Sequence, residues 1–161
     1  MQRITHEFNP SLRDPLQPSY SSDIFERMPT GHCYLDRIAG LAPQLRESLD
    51  TLTAEWSPEV VPVTVAGTEL AKALVEHFEQ LPKDTVKSVF ELCEQALDNG
   101  SAEEQAALST GFLESLQHAD GKRTFDFRAL VSFLGPKSKE HCLAMDEFWK
   151  ATTRGLGRAS V

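Results

Sequence analysis

Cysteine is scarce in this 161-residue sequence, and its three copies, Cys33, Cys93 and Cys142, form no CxxC pair. An odd, sparse set cannot provide a disulfide framework, and it lacks the closely spaced pairs of a zinc knuckle. Two His-Cys dipeptides, at His32 and His141, do not suggest a metal site, because adjacent residues on a helix diverge by about 100°. We therefore expect reduced thiols, with no bound metal or cofactor.

Long apolar runs are also absent. No stretch reaches the roughly 18 apolar residues of a transmembrane helix, and residues 1–22 have no apolar core like that of a signal peptide. These absences predict a cytoplasmic protein without a membrane contact. The sequence also lacks GxSxG, P-loop and GxGxxG motifs, which predicts a protein that is not an enzyme.

Patterns typical of β-strands are nearly absent too. The one β-rich run, Val60–Val65, includes Pro62, which has no backbone N–H to donate to a sheet. Apolar residues instead recur three and four positions apart, as in residues 63–80. With 40% hydrophobic and 25% charged residues, the composition is that of a globular protein. We predict an all-α fold of six to seven helices, either an irregular helical bundle or stacked αα-hairpins of HEAT-like character.

Proline and glycine divide the chain into three parts. Residues 1–31 contain four prolines among Ser, Asn and Asp, and they predict a proline-rich N-terminal arm. Residues 32–152 carry the helical patterns and form the predicted helical domain. Residues 153–161 are interrupted by two glycines, which predicts a frayed C-terminal tail.

The clearest pattern is a pair of helices separated by a very short turn. The first helix ends at Asn99-Gly100, residues that tolerate the left-handed conformation. Ser101 and Glu104 have the spacing of a capping box and begin the second helix, so the pair forms an antiparallel αα-hairpin. A glycine inside a helix costs about 1 kcal/mol relative to alanine. Gly111, in the second helix, therefore predicts close approach of a neighbouring helix.

The formal net charge of −8 is unevenly distributed. Residues 67–120 hold 11 acidic residues against 3 lysines and no arginine, whereas residues 121–161 are net positive. An acidic middle segment argues against a nucleic-acid binder, since phosphate contacts need clustered Lys and Arg. It favours a protein partner that is basic at the contact. A solvated helix surface that keeps the protein soluble is the other interpretation.

The helix pair also resembles a known family. The segment Val89–Leu116, VFELCEQALDNGSAEEQAALSTGFLESL, and the downstream FLGPKSKEHCLAMDEFW are similar to small all-helical bacterial immunity proteins of polymorphic-toxin systems. The resemblance covers about residues 64–150. The matching residues are Glu91, Glu94, Asp98, Asn99, Gly100, Gly111, Phe112, Leu113, Glu114 and Leu116. It implies a cytoplasmic antitoxin, without catalytic residues, that binds a toxin domain and blocks its active site or substrate entry.

Charge and resemblance together predict an immunity protein that neutralises a cognate toxin. The candidate partner-binding residues surround the turn between the two helices: Glu91, Glu94, Asp98, Glu103 and Glu104. An adaptor or chaperone that holds a secreted effector without inhibiting it is the alternative. An enzyme with an unfamiliar helical active site is a third hypothesis, which a deep pocket with converging polar groups would favour.

Overall fold

The computed structural model describes residues 32–157, and this part of the chain forms seven α-helices and no β-strand. The helices are α1 (Cys33–Ala39), α2 (Pro43–Trp56), α3 (Val63–His77), α4 (Lys83–Asn99), α5 (Ala102–Ala106), α6 (Glu114–Gly121) and α7 (Pro136–Trp149). A π-helical segment, Ala107–Leu113, joins α5 to α6, and 3₁₀ turns lie at Phe78–Gln80, Phe127–Ala129 and Val131–Phe133. The predicted all-α fold is confirmed. The predicted arm, residues 1–31, lies outside the described residues.

The centre of the bundle is the pairing of α3 with the π-helical segment, and α3 also contacts α1, α2, α5 and α6. A cluster of aromatic side chains extends the core from this pair towards α4. The ring of Phe90 lies 5.9 Å from that of Phe112 and 6.3 Å from that of Phe133, between ring centroids. Full burial of a side chain of this size stabilises a fold by about 1.5–3 kcal/mol.

None of the helices within residues 32–157 is long and apolar enough to cross a membrane.

Two glycines allow α3 and the π-helical segment to approach closely. A Cβ atom on Gly111 would lie 2.5 Å from the carbonyl oxygen of Thr64, and a Cβ on Gly67 would overlap the carbonyl oxygen of Ala107. The carbonyl oxygen of Gly111 accepts hydrogen bonds from Thr68 Oγ1, at 3.2 Å, and from the Ser115 hydroxyl. The contact predicted from Gly111 is confirmed, and it coincides with the π-helical distortion.

The connection between α4 and α5 is as short as predicted, but its glycine has a different role. The capping box of Ser101 and Glu104 is confirmed. Gly100, however, is extended, with φ −69° and ψ 164°, so the expected left-handed end of α4 is wrong. Because Ser101 begins the next helix at once, the chain leaves α4 without a left-handed residue. Glycine is required instead for space, since a Cβ on Gly100 would lie 2.5 Å from the carbonyl oxygen of Ala96.

The predicted frayed tail, residues 153–161, is wrong for residues 153–157. Thr153 and Leu156 are buried, and Arg154 Nε donates to Asp120 Oδ1 at 2.7 Å. Asp120 on α6 and Asp146 on α7, both buried, accept hydrogen bonds from the backbone N–H groups of this segment. The prediction of fraying was based on the two glycines, which give no information about these bonds. Residues 158–161 lie outside the described part of the chain.

The three cysteines occupy two environments. Cys93 and Cys142 are buried, whereas Cys33 is exposed. Burial raises the pKa of the Cys93 thiol to about 12, although a hydrogen bond from Ser138 acts in the opposite direction. Burial also raises the pKa of Cys142. Both buried thiols are therefore protonated at neutral pH.

We expect replacement of either crossing glycine to destabilise the fold. Gly67→Ala and Gly111→Ala each place a methyl group against the backbone of the facing helical segment, so the two segments have to separate. Overpacking of this kind lowers the free energy of unfolding by about 3 kcal/mol. Gly121→Ala is the control, since a Cβ there meets nothing within 4 Å. Urea denaturation measures all three, and equal stability of Gly67→Ala and Gly121→Ala would contradict the close crossing.

We also expect a single thiol to react in the folded protein. The thiolate is the nucleophile, so iodoacetamide at about pH 8 should alkylate Cys33 and leave the two buried cysteines unmodified. Intact-mass spectrometry counts the adducts, and peptide mapping locates them. Under denaturing conditions all three cysteines should react. Rapid modification of Cys93 or Cys142 in the native protein would show that the helices around them are not packed as described.

Candidate functional site

The five predicted contact residues lie on α4 and α5, on either side of the short connection. We call Glu91, Glu94, Asp98, Glu103 and Glu104 the acidic tip. Glu91 and Asp98 are seven residues apart, so they share one face of α4 and are separated by about 10 Å along its axis. The structure divides these five carboxylates into two groups that differ in exposure and in hydrogen bonding.

Glu94 is half-buried and caps α7. Its Oε1 accepts from the backbone N–H of Lys137 at 2.6 Å, and its Oε2 accepts from the N–H of Ser138 at 3.0 Å and from the Ser138 hydroxyl at 2.8 Å. Pro136, the first residue of α7, has no N–H, so Glu94 satisfies the next two donors. A carboxylate at this helix end also interacts favourably with the helix dipole.

Glu104 is a second internal cap, and it joins two helices. Its Oε2 accepts from the backbone N–H of Ser101 at 3.1 Å, which completes the capping box of α5. Its Oε1 accepts from the N–H of Tyr34 at 3.0 Å, in the first turn of α1. The residue is 8% exposed. The sequence pattern predicted the capping box of Glu104, but it predicted neither the bond from Glu104 to α1 nor the role of Glu94 at the start of α7.

The other three carboxylates of the acidic tip face solvent. The side chains of Glu91 and Asp98 are each 57% exposed, and that of Glu103 is 72% exposed. Glu91 lies 3.8 Å from Lys87 Nζ, and Asp98 lies 3.4 Å from Lys137 Nζ. Exposed pairs of this kind contribute only about 0–1 kcal/mol, so these carboxylates can exchange their lysines for cations of another molecule.

A second acidic surface, not predicted from the sequence, lies between α2 and α3. A groove of about 350 Å³ is lined by Gln44, Glu47, Ser48, Thr51, Leu52, Glu55, Glu69 and His77. The Ser48 hydroxyl donates to Glu69 Oε1 at 2.6 Å and connects the two helices. The sequence did contain a sign of this groove, because Glu47 and Glu55 are eight residues apart and share one face of α2. Both residues lie outside residues 67–120, the acidic segment from which the contact residues were predicted.

A cluster of polar side chains, all buried except Arg154, joins α6, α7 and the segment after α7. Gln117 and Asp120 extend from α6, Asp146 extends from α7, and Thr153 and Arg154 complete the cluster. A pocket lies beside it. In the described part of the chain, no three His, Cys, Asp or Glu side chains are arranged to hold a metal ion. The sequence indicated none of these contacts, because their partners are up to 36 residues apart.

Most of the described chain matches one known protein family. A family model matches residues 35–150, from the first turn of α1 to the end of α7. The chain belongs to the DUF7674 family. That family is described as a domain of unknown function, and its match includes both the acidic tip and the groove. No curated protein and no solved structure matches the chain.

We expect Glu94→Ala to destabilise this DUF7674 domain. The change leaves two backbone donors of α7 without their acceptor and lowers the free energy of unfolding by about 2 kcal/mol. Glu91→Ala, on the same helix and exposed, should change it by less than about 0.5 kcal/mol. Chemical denaturation of both variants measures the difference. Equal stabilities would show that Glu94 does not cap α7.

Proposed function

We propose that this protein is an immunity protein that acts in the cytoplasm and neutralises a cognate toxin domain by covering its active site. The observation that carries the proposal is the exposure of Glu91, Asp98 and Glu103 on two helices, α4 and α5, which Glu94 and Glu104 join to the backbone of α7 and α1. A surface held in this way loses little conformational freedom on binding. It is suited to a partner that is basic at the contact.

Electrostatics support a fast and selective contact. Carboxylates on one surface raise the association rate with a basic partner and disfavour acidic ones. The cations now paired with Glu91 and Asp98 are themselves exposed, with side-chain exposures of 66% for Lys87 and 49% for Lys137. Replacing them with a partner's cations therefore requires little desolvation of the free protein.

The resemblance of residues 64–150 to immunity proteins of polymorphic-toxin systems supports the same function. The segment that carries the resemblance, Val89–Leu116, contains the whole acidic tip. In such a mechanism the protein performs no reaction. It inhibits by occupying the surface through which the toxin's substrate would enter.

The proposal is tested by charge reversal at the exposed part of the acidic tip. The triple variant Glu91→Lys, Asp98→Lys and Glu103→Lys should bind the toxin encoded beside this protein at least about tenfold more weakly than the native chain. It should also lose its protection of growth when the two are co-expressed. Titration calorimetry and survival on induction of the toxin provide the two measurements.

A second triple variant controls for the change in net charge. It carries Glu59→Lys, Glu76→Lys and Glu79→Lys, which replace exposed carboxylates outside the acidic tip and change the net charge by the same amount. This variant should leave binding and protection unchanged. Equal losses in the two variants would contradict the proposed contact surface. A complex in which the purified toxin keeps its full activity would instead favour an adaptor or chaperone.

A further inference from the structure

The pocket between α6, α7 and the segment after α7 is large enough for a small molecule. Its volume is about 270 Å³, whereas an apolar cavity of about 150 Å³ is enough to hold benzene. It therefore has room for one aromatic ring with a short chain attached. The pocket is separate from the acidic tip, since none of those five carboxylates contributes to its lining.

The interior of the pocket favours an apolar ligand. Most of the surface that it offers is apolar, and the indole ring of Trp149 forms part of that surface. The ring stacks on that of His118, with ring centroids 4.8 Å apart, which fixes its orientation. Transfer of an apolar group from water to such a surface is favourable through the hydrophobic effect.

The buried carboxylates in the pocket wall are already engaged within the protein. Asp146, which is 8% exposed, accepts from the N–H and from the hydroxyl of Thr153. Asp120, which is 3% exposed, accepts from Arg154 Nε at 2.7 Å. Two buried negative charges disfavour a third charge of the same sign beside them. The charge of an anionic ligand is consequently restricted to the mouth of the pocket.

Cationic residues flank that mouth. Lys122 belongs to the lining, Arg123 follows it, and Lys150 lies in the chain between two lining residues. All three are exposed, and no carboxylate oxygen of residues 32–157 lies within 4.0 Å of their cationic nitrogens. Glu147, exposed in the last turn of α7, opposes these three charges with one. The surroundings of the mouth are therefore net positive, which favours an anionic group there.

Two of these cations occupy positions where glycine is the usual residue. Arg123, with φ 60°, and Lys150, with φ 55°, are the two non-glycine residues of the described chain that have a positive φ. Glycine adopts this left-handed conformation without the steric cost that an L side chain brings. The backbone at both positions would thus be served better by glycine, and what the two side chains add is positive charge beside the pocket.

We propose that this pocket binds a small organic carboxylate with an apolar body. The apolar body lies in the interior against Trp149, and the carboxylate remains at the mouth near Lys122, Arg123 and Lys150. An apolar interior with a cationic mouth selects such an anion over neutral and cationic molecules of the same shape. The site goes beyond the proposed immunity function and does not rest on it.

The test uses hydrocinnamate, the full chain and no toxin. NMR at neutral pH follows the indole N–H of Trp149, which is the signal that Trp149→Phe lacks. We expect a saturable shift with a dissociation constant on the order of 1 mM. Hydrocinnamamide, which is neutral and nearly isosteric, should bind at least about fivefold more weakly, because it loses the attraction of the exposed cations. Acetate, which has the charge without the apolar body, should give no saturable shift.

The absence of saturation by hydrocinnamate, or equal binding of the amide, would overturn the proposal. Phenylpropylamine reverses the sign of the charge and should bind more weakly than the amide. Tighter binding of this amine than of hydrocinnamate would show that the buried carboxylates, and not the cations at the mouth, determine the selectivity of the pocket, and would equally overturn it.

Glycine substitutions separate binding from stability. The double variant Arg123→Gly and Lys150→Gly removes two charges and relieves the left-handed backbone. Its affinity for hydrocinnamate should fall at least about threefold, while the thermal unfolding midpoint stays the same or rises. If the two cations act only on the dipoles of α6 and α7, the midpoint falls and the affinity is unchanged. That result would contradict the proposed role of the two side chains.

Two further comparisons control for net charge and for location. Lys83→Gln with Lys139→Gln removes two exposed cations outside the pocket and should leave the affinity unchanged. Ala151→Phe fills the mouth and should abolish the saturable shift, whereas Ala144→Phe adds the same group to an exposed position of α7 outside the pocket and should preserve it. Unchanged binding in Ala151→Phe would place the ligand elsewhere and overturn the proposal.

Discussion

The structure depends on carboxylates that accept hydrogen bonds from backbone N–H groups of distant segments. Helix starts and loops leave such donors unpaired, and a buried donor without an acceptor costs about 1–3 kcal/mol. Glu94 accepts from the first turn of α7, whereas Glu104 accepts from the first turn of α1 and from the residue that begins α5. Asp120 and Asp146 accept from backbone N–H groups of the segment after α7. Part of the acidity of this protein is therefore structural, and it fixes the relative positions of helices that are far apart in sequence.

The sequence predicted the features that depend on neighbouring residues. Helical spacing of apolar residues gave the all-α fold, the Ser101–Glu104 spacing gave the capping box, and Gly111 marked the close crossing. The long-range caps were beyond prediction, because Glu94 acts on residues 43 and 44 positions away and Glu104 acts on one 70 positions away. Nothing in the sequence distinguishes Glu94 from an exposed carboxylate, and the capping-box spacing of Glu104 does not indicate its bond to Tyr34.

The division between capping carboxylates and exposed ones determines which acidic residues are available to a partner. In the acidic tip, Glu91, Asp98 and Glu103 remain exposed after the capping residues have been assigned. In the proposed complex, long-range attraction between these carboxylates and a basic partner favours fast and selective association.

Hydrogen–deuterium exchange of the protein with and without the proposed toxin partner tests the proposed contact most directly. We expect binding to slow exchange around the α4–α5 connection, at residues 97–105, and to leave the α2–α3 groove unchanged. Protection confined to the groove, with the connection exchanging as in the free protein, would contradict the division of carboxylates into structural caps and an exposed contact surface.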